Sequence, residues 1–262
     1  MKQWLIDRAK HPAVALETTI LAHGLPPAEA PAIHAQFAEA VREAGASPTL
    51  IGVLNGKAIV GMTDDELATM LAADNVHKAN RSNLGIMLDT RSTAATTVST
   101  TIELAAHAGI RVMATGGIGG VHKDYHAHLD ISADLGAIAG NPVAVVTSGC
   151  KNILDIAATR EALETLGVPV VGFRCDTFPA FYQRSTDLPL DHRFDDEAEL
   201  ARFIRFELDR TGRGIVVCNP IPADDEIPLA DWTGWLTQAR AETEPGLGRD
   251  ATPAVLARVH EL

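Results

Sequence analysis

Cysteine is scarce: three occur in 262 residues, Cys150, Cys175 and Cys218, and none forms a C-x-x-C pair. They read as reduced, mostly buried thiols at or near strand-like runs. Basic residues are also in deficit, with 22 Lys and Arg against 34 Asp and Glu and a formal net charge of -12. Sequence-independent binding to a nucleic-acid backbone depends on cations displacing condensed counterions, so a polymeric DNA or RNA partner is not expected. A small phosphorylated metabolite stays open, because a pocket needs only a few local donors. No stretch approaches the roughly 20 apolar residues that span a bilayer, and Met1 to Lys10 lacks the apolar segment of a secretion signal. These features predict a cytoplasmic protein without membrane contact.

What the chain does contain is 46% hydrophobic residues, enough for one large core. Short runs rich in Val, Ile and Ala predict strands at Ala13–Glu17, Pro48–Leu54, Arg111–Thr115, Pro142–Thr147, Val168–Phe173 and Gly214–Val217. Amphipathic stretches predict helices at Ala28–Glu43, Asp64–Ala73, Thr93–Ala108, Asn152–Leu166 and Asp195–Asp209. Alternation of this kind predicts an α/β class chain, a three-layer α/β/α sandwich around a mixed, mostly parallel sheet, in one domain over residues 1–262. The mixed character follows from Asn55-Gly56, a hairpin turn between two apolar runs. From Pro220 onward the pattern weakens, ending in a short helical stub at Thr252–Leu262.

Candidate chemistry concentrates in a few segments. Ala114-Thr115-Gly116-Gly117-Ile118-Gly119-Gly120-Val121-His122-Lys123 follows an apolar strand. Its glycines either let the backbone cradle an anion or make a tight turn. The dinucleotide spacing G-x-G-x-x-G is absent. In the next segment, His126, His128, Asp130, Ser132 and Asp134 share one face if the chain is extended, a set able to hold a divalent metal. The alternative is Ser132 capping a helix from Ala133, with Asp134 in its first turn.

Lys151 lies between the turn Thr147-Ser148-Gly149-Cys150 and an expected helix, where a lowered pKa would make an amine nucleophilic, or else it is a solvated surface lysine. Glu17 ends the apolar run Ala13-Val14-Ala15-Leu16, and burial there would raise its pKa toward that of a general acid; otherwise it opens a polar turn. Lys78 and Arg81 are a phosphate clamp or a solvated loop. Asn219-Pro220-Ile221-Pro222 fixes a loop at a strand's carboxyl end, the side where open α/β sheets bind ligands.

These segments together resemble the pseudouridine-5′-phosphate glycosidase family. The match runs in order through Leu16–Gly24, Gly52–Lys57, Ala95–Val98, Ala114–His122, Asp130–Leu135, Lys151–Asp155, Phe178–Tyr182 and Asn219–Pro222. The resemblance implies that Glu17 is the proton donor, Lys151 a covalent nucleophile that forms a Schiff base, and Asp130 the ligand of a divalent metal, Mn2+. It also implies substrate contacts from Lys78, Val98, Ser132, Ala133 and Asp134, and substrates that are ribose 5-phosphate and a heterocyclic base. Thr115, Gly116, Gly117, His122 and Asn219 are further candidate substrate contacts. A homotrimer is the implied assembly.

Three departures stand out against that family pattern. A C-terminal Asn-rich helix is not found by Leu262, His126 and His128 stand where Glu and Thr are usual, and Ser185-Thr186 replaces Ser-Gly. The resulting expectation is reversible cleavage or formation of a carbon–carbon glycosidic bond. A dedicated C-glycosynthase for a non-uracil, imide-like base and a silent sugar-phosphate binder are the alternatives. Turnover of uracil alone would exclude the synthase, and a ribose adduct on Lys151 would exclude the binder.

Overall fold

A computed structural model describes residues 3–123 and 125–243, together with 255, 258 and 259; of His128 it describes the backbone only. The chain forms two compact units. The first comprises Met1–Thr115, Gly136–Val146 and Ala201–Val216, and the second Gly116–Leu135, Thr147–Leu200 and Val217–Leu262. The fold class is α/β, with helices on both faces of a mixed, mostly parallel sheet.

In the first unit the strands are β1 (Leu5–Asp7), β2 (Ala13–Glu17), β3 (Ser47–Leu54), β4 (Lys57–Val60), β5 (His77–Ala79), β6 (Ala94–Thr96), β7 (Val112–Thr115) and β8 (Ala144–Thr147), whose last residue opens the next unit. Strand order runs β1-β4-β3-β2-β7-β8. Strand β2 is parallel to β3 on one side, with Glu17 opposite Ile51, and to β7 on the other. A strand paired on both edges and covered on both faces must be apolar throughout, which is why Ala15 and Leu16 are buried.

The Asn55-Gly56 hairpin forms as expected: both residues have positive φ, 50° and 74°, and β3 and β4 pair antiparallel across it. The helices here are α1 (Thr19–His23), α2 (Ala30–Glu43), α3 (Asp64–Leu71), α4 (Leu84–Asp89) and α5 (Val98–His107). Thr63 opens α3 with a reciprocal capping box to Glu66, a contact class worth about 1 kcal/mol.

The second unit carries α6 (Tyr125–His128), α7 (Ala133–Gly140, which runs into the first unit), α8 (Ile156–Thr165), β9 (Val170–Phe173) and β10 (His192–Phe194). Helix α9 (Glu197–Thr211) and β11 (Ile215–Cys218) pass between the two sets of residues, and α10 (Leu229–Glu242) belongs to the second unit. Strands β9 and β10 pair in parallel.

Several sequence expectations need correction. The stretch Thr93–Ala108 is not one helix: Ala94–Thr96 forms β6, pairing with β3 and β5, and the helix starts at Val98. Its alanines and threonines suit either state, and the antiparallel edge of β3 at Gly52 and Val53 decides for strand. Helix α8 starts at Ile156 rather than Asn152, because the side chain of Asp155 accepts from the Ala158 amide and caps it. Residues after Pro228 form the 14-residue α10, burying Trp232 and Leu236. Apart from residues 255, 258 and 259, the stub expected at 252–262 lies outside the described residues. All three cysteines are free thiols, as expected, and among the described residues no helix is long and apolar enough to cross a membrane.

One polar group is placed at evident cost. His34 on α2 is 8% exposed, its Nδ1 has no hydrogen-bond partner among the described residues, and its Nε2 is 3.9 Å from Asp64. Burial lowers its pKa below 6.5, with Asp64 acting in the opposite sense and Arg42 reinforcing the shift. The unfolded chain therefore binds the proton more readily, so the stability associated with neutral His34 is present above pH 6.5 and is lost as pH falls through the folded-state pKa. His34→Leu is expected to reduce the fall in melting temperature between about pH 7 and pH 5 relative to the unsubstituted chain. Parallel pH–melting curves for the two proteins would refute this.

Candidate functional site

In the first unit, Glu17 is the last residue of β2 and is half-buried. The Thr115 hydroxyl, at the end of neighbouring β7, donates to Glu17 Oε1 at 2.5 Å. A carboxylate at the carboxyl end of an apolar central strand, held by a neighbouring hydroxyl, is positioned to exchange a proton. Thr115, expected as a substrate contact, is thus engaged by the carboxylate.

Lys78 is exposed on β5, and the pKa of His23 is pushed down, first by desolvation and then by the Lys78 charge. Val98 is the first residue of α5 and only 2% exposed. Arg81 donates to Gly136 O at 2.9 Å and lies 3.8 Å from Glu103.

In the second unit, the glycine-rich loop is explained largely by close packing. A Cβ on Gly117 would strike the Phe181 ring, one on Gly119 would strike Ser132 and Asp134, and one on Gly120 would strike Thr159. The loop amides are anchored too: Ile118 donates to Gly149 O, Gly119 to Asp134 Oδ2 at 2.9 Å, and Val121 to Thr159 Oγ1. Asp134 is 5% exposed, so its carboxylate serves first to hold this loop.

The extended His126–Asp134 face does not form, because Tyr125–His128 is helical and Ser132 precedes α7. The helix-capping alternative is the one adopted, with the Ser132 hydroxyl accepting from the Asp134 amide at 3.2 Å. Ala133 begins α7 beside it. The backbone of His122 pairs with Asp130, and its Nε2 is 3.8 Å from Asp130 Oδ2.

Lys151 is half-buried in the turn before α8. Its amide donates to Ile118 O at 3.2 Å and its carbonyl accepts from Leu154, so backbone bonds on both sides fix the base of its side chain against the glycine loop. Next to it, the Asn152 side chain pairs with Gln183 and accepts from the Tyr182 amide, a buried amide pair that the sequence did not reveal. Gln183 passes the chain on to Ile227 O. A cavity of about 680 Å3 lies alongside, with Asn152, Asp155, Gln183, Lys123 and Trp232 in its walls, a volume in the range of small-molecule sites. Asn219, directly after β11, is exposed and its amide donates to Thr147 O at 2.8 Å.

Among the described residues, no three His, Cys, Asp or Glu side chains gather to form an all-protein metal cage. Asp130, whose side chain is 23% exposed, with His122 nearby, is a donor set suited to a hard cation that keeps most of its water and needs one or two carboxylates.

These features define a class of α/β protein with a carboxylate, Glu17, at the carboxyl end of a central strand, the usual ligand side of such sheets. The comparisons narrow the class. The family model described as Indigoidine synthase A like protein matches residues 6–262. The chain is 45% identical to the pseudouridine-5′-phosphate glycosidase of Solibacter usitatus over 259 residues, 97% of this chain and 86% of that protein. To the Geobacillus kaustophilus enzyme of the same name it is 41% identical, covering 97% and 85%.

Among solved structures, it matches an indigoidine synthase A-like protein of Thermotoga maritima with a TM-score of 0.88 and 34% identity, covering 98% of this chain and 86% of that one. It also matches the prealnumycin C-glycosynthase AlnA in complex with ribulose 5-phosphate, with a TM-score of 0.89 and 33% identity, covering 100% and 88%. The chain belongs to the indigoidine synthase A-like family, which here includes the pseudouridine-5′-phosphate glycosidases.

The packing of the loop gives a direct test. Gly119→Ala is expected to destabilise the protein by about 1–3 kcal/mol, since the added methyl meets the side chains that hold the loop. Gly136→Ala, in helix α7 with open space around the new methyl, is expected to be neutral or stabilising by up to about 1 kcal/mol. Chemical denaturation of both variants checks the contrast, and equal stabilities would contradict it.

Proposed function

We propose that this protein makes and breaks the carbon–carbon glycosidic bond between ribose 5-phosphate and a nitrogen heterocycle, in the manner of pseudouridine 5′-phosphate cleavage to uracil and ribose 5-phosphate. The observation that carries the reading is family membership together with retention of Glu17 at a strand end and Lys151 in the backbone-anchored turn. A C–C bond offers no basic leaving oxygen, so the two-carboxylate mechanism of ordinary glycosidases cannot act on it directly.

An imine solves this problem. Glu17 gives a proton to the ring oxygen as the Lys151 amine attacks C1′, forming C1′–N and breaking the C1′–O bond of the furanose. The resulting ammonium returns a proton to the Glu17 carboxylate; the freed nitrogen lone pair then forms C1′=N while the C1′–base bond breaks, its electron pair going to the base carbon, which takes a proton. Water hydrolyses the imine, releasing ribose 5-phosphate and the free lysine; synthesis is the same sequence reversed.

Lys78, Val98, Ser132, Ala133, Asp134, Gly116, Gly117, His122 and Asn219 are proposed to line the sugar phosphate or base. Thr115 would act there through Glu17. Asp130 would hold manganese, which when bound supplies positive charge to anionic substrate oxygens. The assembly is proposed to be a homotrimer and the location cytoplasmic.

A second reading is favoured by one observation, the likeness to AlnA, named as a C-glycosynthase. On that reading the base is an imide-like ring other than uracil, and the departures from the family pattern at His126, His128 and Thr186 accommodate it. The test is borohydride reduction in the presence of ribose 5-phosphate and manganese, followed by intact mass and peptide mapping. An adduct confined to Lys151, lost in Lys151→Ala, is expected; its absence with substrate bound would reduce the protein to a sugar-phosphate binder. Turnover with uracil and with other imide rings then separates the two readings.

A further inference from the structure

Immediately after Glu17, four threonine hydroxyls and two carbonyls form a joined network. Thr18, Thr96 and Thr101 are all fully buried. Thr101 donates to Thr96 Oγ1 at 2.9 Å, Thr96 donates to Ile51 O at 2.7 Å, and Thr18 donates to the same carbonyl at 2.9 Å. The Thr18 oxygen in turn accepts from the Thr96 amide at 2.9 Å, and Thr19 donates to Thr96 O at 2.7 Å. Ile51 is the residue paired with Glu17 in the β2–β3 register.

Apolar cores favour valine over threonine at such positions, because an equal volume without a hydroxyl has no desolvation cost. Here the hydroxyls satisfy backbone groups left over where β6 meets β3 only at Gly52 and Val53. Thr18, the residue following Glu17, is thereby bonded directly to β3 and β6, and through Thr96 the network continues to Thr101 on α5. A carboxyl required to deliver a proton to one oxygen must hold its position within a fraction of an ångström, and the last residue of a strand would otherwise fray.

We infer that Thr18 is a positioning residue for proton donation by Glu17, acting through the buried Thr18–Thr96–Thr101 network. This rests on the proposed glycosidic chemistry and adds a residue to it. Valine keeps the β-branched shape of Thr18 and removes only the hydroxyl that makes these bonds.

The experiment compares the parent protein with Thr18→Val and Thr18→Ser, measuring kcat and KM for C-nucleotide cleavage and borohydride trapping with ribose 5-phosphate. Thr18→Val is expected to lower kcat at least about tenfold, with KM changed less than about twofold and the Lys151 adduct still formed. Thr18→Ser, which keeps the hydroxyl, is expected to recover most of kcat. Parent-like kcat in Thr18→Val, or loss of kcat, binding and adduct together, overturns the inference.

If Thr18→Val does not fold, Thr101→Val removes the far end of the network. It is then expected to lower kcat several-fold at unchanged KM, and parent-like kcat overturns the inference. A parent protein that turns over no base overturns both this inference and the function on which it rests, whereas parent turnover with an unaffected Thr18→Val overturns this inference alone.

Discussion

Strand β2 is bonded along both edges, to β3 and to β7, and this double pairing is the constraint on which the first unit depends. A strand so placed has no polar edge to give to water and no exposed face, so its residues are apolar until it leaves the sheet. The first residue free to be charged is Glu17, at its carboxyl end. Its neighbour Thr115 ends β7 in the same way, and the two side chains meet because parallel strands in register finish at the same level. The location of the carboxylate is therefore a consequence of sheet geometry, and the surrounding hydroxyls make that location rigid.

The second unit achieves rigidity differently. Its glycine-rich loop belongs to no strand or helix; isolated backbone bridges hold Ile118 and Val121, and side chains from other segments press against it: Ser132 and Asp134 before and within α7, Thr159 in α8, and Phe181 from the loop ahead of β10. Glycine is required where those groups press against the backbone, so the same residues that suggest anion binding are accounted for by packing density. Lys151 inherits the order of this loop through its backbone bond to Ile118. A nucleophilic amine needs a fixed stem and a mobile tip, and an anchored main chain with a long side chain provides both.

Much of this was legible in the residues. Strand β2 and the Asn55-Gly56 hairpin were readable because buried strands and I′ turns tolerate few residue types. Strand β6 was not: Ala94-Ala95-Thr96 has no intrinsic preference strong enough to oppose the helix that follows, and only its partner β3 makes it extended. The four-residue helix at Tyr125–His128 was missed for the related reason that alternation of His and Asp mimics a strand period without a sheet to join. Helix α8 starts four residues later than the apolar pattern predicts because the Asp155 side chain caps it there.

The sequence by itself determined the fold class, the family and the identity of the charged groups at strand ends, since each rests on local pattern or on residue type, which are encoded one position at a time. Only the tertiary structure decided what those groups touch. That Thr115 meets Glu17, that Asp134 spends its carboxylate on Gly119, that Asn152 pairs with Gln183 and that Thr18, Thr96 and Thr101 share one network all join residues far apart in the chain. Such contacts depend on strand order and loop closure, and a buried hydroxyl or amide acquires a role only when the fold supplies its partner.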